Sequence, residues 1–152
     1  METEIIEIEK PKLKELEKLI YNPTVKKGPE NKSKHKIMRI ENEDEYTRID
    51  FVVVAGKYGW VDIEPNTFIR PVGTDSRLTL VKAQGIPVAP RQYFFKNRTE
   101  SLYYTLFFPS LPKNVSEIDI IESEHSFPGH CYFNFYGVSM ERVRKEVIAV
   151  PN

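Results

Sequence analysis

The densest gathering of residues with ligand or nucleophile chemistry is Glu122-Ser123-Glu124-His125-Ser126-Phe127-Pro128-Gly129-His130-Cys131. Imidazole and thiolate are the preferred donors of zinc and a carboxylate can complete a tetrahedral shell, so Glu122, His125, His130 and Cys131 are the candidates for a metal loop. Spacing opposes it. His130 and Cys131 are adjacent, and adjacent side chains of a strand point to opposite faces. A thiolate-imidazole pair drawn from the same residues would serve a hydrolase, because a thiol near neutral pH needs a base to become a nucleophile. Yet Cys131 alternates with Phe133 and Phe135, which puts it on an apolar face, where free cysteine behaves as a small hydrophobe. The expected state of residues 122–131 is a solvated connection that binds no metal. A hydrolase or metal-dependent enzyme built on this loop is the alternative function.

Other constellations are weaker. Glu43, Asp44 and Glu45 cluster at a turn, and Asp62 shares a strand face with Glu64; a glycosidase pair needs two carboxyls about 5–10 Å apart across a cleft, which no spacing here builds. Ala55-Gly56-Lys57-Tyr58-Gly59-Trp60 has neither the Walker spacing nor a following helix. Lys32, Lys34, His35 and Lys36 read as a basic loop without the interleaved rings on which single-stranded nucleic acid stacks. The 22 Lys and Arg cancel the 22 Asp and Glu, so no overall field draws the chain to nucleic acid. No catalytic residue, cofactor or metal is assigned, and no nucleic-acid partner is expected.

Aromatic residues, 12% of the chain, are the informative surplus. Along residues 102–108, Leu102, Tyr104, Leu106 and Phe108 share one face of a strand while Tyr103, Thr105 and Phe107 share the other. By the same count Tyr132, Asn134 and Tyr136 point away from Phe133 and Phe135. Tyr103, Phe107, Tyr132 and Tyr136 are therefore the candidate ligand-binding face, suited to a sugar or a protein partner. The competing expectation is that the N-terminal segment covers it.

The elements that would position these rings are short. Runs rich in β-branched and aromatic residues recur at 36–41, 46–55, 59–63, 67–71, 78–83, 102–108, 117–122 and 131–138, separated by turn residues and often closed by proline. Two packed antiparallel sheets are the simplest way to bury them, with Trp60, Phe51, Val53, Leu106, Ile118, Ile120, Phe133 and Phe135 as core candidates. Residues 3–20 favour a helix, with Leu13, Leu16 and Ile20 on one face, although Ile6 and Ile8 alternate with glutamates as in a strand. Residues 25–34 read as a polar loop. A chain of 152 residues holds one such domain, here 19–139, preceded by an extension over 1–18 and followed by a tail over 140–152.

The order Tyr21-Asn22-Pro23, Trp60-Val61-Asp62-Ile63, Phe107-Phe108-Pro109-Ser110-Leu111-Pro112, Ile118-Asp119-Ile120-Ile121-Glu122 and Tyr136-Gly137-Val138 resembles a β-sandwich module found in envelope and exported proteins of Bacteroidetes, sometimes ahead of thioredoxin-like domains. The resemblance implies an immunoglobulin-like fold and an envelope setting, and carries over no catalytic residue. The expected function is a non-catalytic module that binds an unknown protein or glycan. The longest apolar run, residues 51–55, is too short for a membrane span. The acidic N-terminus lacks a signal peptide and implies the cytoplasm unless a signal has been removed, in which case the periplasm or envelope is implied.

Overall fold

The computed structural model describes residues 19–29, 34–55, 59–125 and 132–141. Its elements are all strands: β1 (Leu19–Tyr21), β2 (Val25–Lys27), β3 (His35–Asn42), β4 (Thr47–Val54), β5 (Trp60–Val61), β6 (Phe68–Pro71), β7 (Leu78–Thr79), β8 (Lys82–Gln84), β9 (Tyr93–Phe94), β10 (Ser101–Phe108), β11 (Glu117–Ile121) and β12 (Phe135–Ser139). The protein is all-β. One five-stranded sheet runs β1-β3-β4-β10-β8, a second runs β2-β12-β11-β6-β7, and β5 pairs with β9 alone. Every pairing of these strands is antiparallel.

Alternation builds the first sheet. Ile49, Phe51 and Val53 of β4 and Tyr104, Leu106 and Phe108 of β10 are buried, while the residues between them are at least partly exposed. Ile69, Ile118, Ile120, Phe135 and Val138 come from the second sheet into the same core. Phe51 joins the layers: its ring lies 5.0 Å from Tyr104 in its own sheet, and 5.4 Å from Phe133 and 6.2 Å from Phe135 across the core. Tyr136 and Gly137 form a bulge in β12 opposite Asp119. Gly137 takes φ +64° there, a conformation that costs glycine little, and its N–H donates to the Asp119 carboxylate at 3.0 Å.

Several expectations change. Residues 78–83 are not one strand: β7 belongs to the second sheet and β8 to the first. Leu80 N–H bonds Thr67 and Val81 N–H bonds Phe107, each at 2.8 Å, so the chain changes sheets between two neighbours. Extended backbone points successive N–H groups to opposite sides, which makes that crossing possible. Val25–Lys27, read as loop, is an edge strand on β12, and Ile20, read as the last residue of a helix, is in β1 against Ile40. Trp60 is half-buried on the separate β5-β9 pair, opposite Phe94, and not in the main core. His35 is not in a basic loop. It opens β3 as a buried residue, because β3 starts one residue earlier than the hydrophobic run. The N-terminal extension over 1–18 with the rest of the expected helix, Cys131 and the tail beyond residue 141 lie outside the described residues.

Candidate functional site

The outward positions of the first sheet line up across all five strands. The ladder pairs Tyr21 with Arg39, Arg39 with Asp50, Asp50 with Thr105 and Thr105 with Gln84, a continuous polar row. On one side lies the row Leu19, Glu41, Arg48, Phe107, Lys82; on the other lie Lys36, Val52 and Tyr103. Over the central row is an open groove of about 550 Å³, walled by Tyr21 and Asn22 at one edge and Gln84 and Gly85 at the other, with Tyr103 on its rim. Each wall stands where the chain leaves an edge strand, β1 at Tyr21 and β8 at Gln84. Asn22 takes φ 45° directly after β1. Gly85, at φ +81°, brings its backbone so near Tyr103 that a Cβ would stand 2.9 Å from that residue's carbonyl oxygen.

Asp50 organises the floor. One oxygen, Oδ2, accepts from Arg39 Nε at 2.8 Å and lies 2.7 Å from Nη2 in an ion pair; the other, Oδ1, accepts from Arg48 Nε at 3.1 Å and the Thr105 hydroxyl at 2.6 Å. Partial burial alone would raise its pKa, but the Thr105 hydroxyl and the two guanidiniums outweigh it and hold the carboxyl below the usual aspartate range. Asp50→Ala would leave two guanidiniums without their anchor on a half-buried floor. It is expected to lower the unfolding free energy by about 1–3 kcal/mol, read from urea denaturation.

The structure does not bring the four predicted rings together. Tyr103 is 68% exposed on the groove rim. Phe107 shares its face but is half-buried, edge-on to Tyr46 and overlaid by Arg48 and Lys82 at 5.8 and 5.9 Å. Tyr136 belongs to the second sheet, below Lys27 at 5.7 Å. Tyr132 is only 8% exposed. Counting by twos failed there because β12 starts at Phe135, so residues 132–134 do not alternate as a strand does. Tyr21, Arg39, Arg48, Asp50 and Gln84 were missed. Outward polar alternation in β3 and β4 was a signal for the middle three; only the pairing with β1 and β8 shows that Tyr21 and Gln84 join them.

The start of the 122–131 loop is equally specific. Glu122 is 5% exposed; its Oε1 accepts from Phe133 N–H at 3.1 Å and its Oε2 from Glu64 N–H at 3.2 Å. Asn134 Oδ1 accepts from the N–H groups of Glu122 and Ser123. Burial pushes the Glu122 carboxyl up to about 8, with Asp62 and Glu64 adding to the rise and the two backbone bonds opposing it. On the opposite sheet, His35 Nδ1 and the Tyr104 hydroxyl are hydrogen-bonded at 2.6 Å, and burial lowers the imidazole to about 3. Glu122 thus ties together the segments before β6 and β12. Its neighbour Glu124 pairs with Arg77 at 2.5 Å, and His125 is exposed. Among the described residues no three His, Cys, Asp or Glu side chains group as a metal site; His130 and Cys131 lie outside them.

Compared with known proteins, the chain matches no family model, no curated sequence and no solved structure. Among the described residues no helix is long and apolar enough to cross a membrane.

Proposed function

We propose that the protein is a non-catalytic binding module, an immunoglobulin-like β-sandwich that holds a glycan in the groove on the outward face of its first sheet. The observation that carries this reading is the polar row of Arg39, Asp50, Thr105 and Gln84 set beside the exposed ring of Tyr103 and that of Tyr21. A sugar presents an apolar ring face and a rim of hydroxyls; the groove offers rings for the first and fixed polar groups for the second. The floor suits binding better than catalysis. Asp50 is kept ionised and fully engaged, whereas a general acid or base needs a pKa near the working pH and a free lone pair. The hydrolase alternative has the raised pKa of Glu122 in its favour, but that carboxyl is buried and both its oxygens hold main-chain N–H groups.

Tyr103→Ala is expected to weaken retardation in affinity gels containing soluble polysaccharide by about tenfold, the value of roughly 1.4 kcal/mol of lost ring contact. Its melting temperature should stay within about 2 °C of the parent, since the ring is mostly solvated. A variant that binds as the parent does, or a parent protein that no polysaccharide retards, overturns the glycan reading.

A further inference from the structure

We infer that the glycan held by this groove is acidic, a chain of uronic acid units with a sugar carboxylate seated on the guanidinium of Arg48. The inference rests on the groove being a glycan site and names the class of sugar. Its first support is the state of Asp50. That carboxylate already accepts three hydrogen bonds and has a further close ion-pair contact with Arg39 Nη2, so two donors crowd each oxygen. The acceptor that would bind neutral sugar hydroxyls is therefore spent. Donors remain. Arg48 commits only Nε, and its two Nη amines make no hydrogen bond or ion pair among the described residues, while the Arg39 guanidinium is shared between Asp50 and the Tyr21 hydroxyl. The Arg48 side chain is about one-third exposed, at 35%, so a ligand can reach it.

The second support is charge. Lys36, Arg39, Arg48 and Lys82 stand on the outward rows against Glu41 and Asp50, four cations to two anions on a chain whose total is zero. Glu41 lies beside Arg48 in the ladder; burial and then Glu43 push its carboxyl pKa up, against the opposing pull of Arg48 and Arg39. The third is preorganisation. Asp50 holds both planar forks before any ligand arrives, and a flat fork fits a flat carboxylate better than it fits a hydroxyl. Tyr103 on the rim supplies the surface for the rest of the sugar ring.

Affinity gels cast with pectate, alginate or hyaluronan, and with each polymer after chemical reduction of its carboxyl groups to alcohols, test this. At least one acidic polymer should retard the protein, its reduced form about tenfold less, and 0.5 M salt should erase the difference, as roughly 1.4 kcal/mol of charge-assisted bonding requires. In Arg48→Gln the ratio of retardation by the acidic polymer to that by the reduced one should fall from about tenfold to about one. Arg48→Lys, which keeps the charge without the fork, should recover only part, and melting curves of both variants confirm that they are folded. Equal retardation by acidic and reduced polymers overturns the inference while the glycan reading stands. Retardation by acidic polymers that Arg48→Gln does not diminish overturns the carboxylate's placement on Arg48. Retardation by none of the polymers overturns the glycan reading and the inference with it.

Discussion

Stability is expected to be nearly flat between pH 4.5 and 6.5 and to fall on both sides, through two buried groups on facing sheets. Glu122 has a folded-state pKa of about 8 against an ordinary 4.5. Below 4.5 both states carry the proton and its contribution is fully present; between 4.5 and 8 the unfolded chain releases a proton that the folded one keeps, so stability falls as pH rises. His35 has the opposite sense. Its folded-state pKa is about 3 against 6.5, so its contribution is complete above 6.5 and is lost as pH falls toward 3, where the unfolded chain takes up a proton that the folded one refuses. Each slope is about 1.4 kcal/mol per pH unit. They cancel where they overlap and leave about 2 kcal/mol lost from pH 6.5 to 8 and a similar loss from 4.5 to 3. Asp50, whose pKa is lowered, adds to the acid-side loss. Urea denaturation at pH 5.5 and 8.5 should show the alkaline fall in the parent and little of it in Glu122→Gln; His35→Gln should flatten the acid side instead. A parent protein that grows more stable from pH 6.5 to 8 would show that Glu122 is ionised in its site.

Phe51→Ala is expected to cost about 3–5 kcal/mol, the range for removing a fully buried ring. Phe51 is 1% exposed and stacks on Tyr104 in its own sheet while touching Phe133 and Phe135 across the core, so its loss opens a cavity between the layers that backbone held in two ladders cannot close. For a chain of this length that cost lowers the melting temperature by about 10 °C or more. A calorimetric drop of less than about 4 °C, near 1 kcal/mol, would mean that the sheets do not depend on this ring. The contrast with Tyr103, which sits in the next pair of the same ladder but on the outward face, separates a ring that packs from one that is solvated.

Hydrogen-bonded partners far apart in the chain explain why the groove was harder to read than the strands around it. The row Tyr21, Arg39, Asp50, Thr105, Gln84 takes one residue from each of five strands. Its assembly depends on register, and register in β3 is shifted by the bulge at Met38, which puts Arg39 rather than Met38 opposite Asp50. No local pattern in the sequence specifies that shift. The aromatic surplus pointed to β10 and to Tyr103, which stands exposed on the groove rim, but extending the face to Tyr132 and Tyr136 assumed that all the rings lay on one sheet.

What the amino-acid order determined by itself is what depends on nearest neighbours. The two-residue period decided that Tyr104, Leu106 and Phe108 go inward and Tyr103, Thr105 and Phe107 outward, because a strand turns successive side chains to opposite faces whatever lies beside it. The hairpin tip after β3 was legible for the same reason: polar residues without apolar alternation close on a bond from Glu43 N–H to Tyr46. Tertiary structure alone decided the sheet to which each short strand belongs, as at Leu80 and Val81. It also decided that Glu122 and His35 lose their water and shift their pKa values in opposite directions, and that Arg39 and Arg48 converge on one carboxylate. Pairing partners, desolvation and converging charges are set by residues distant in the chain, and the free energy that selects them exists only once the two sheets have met.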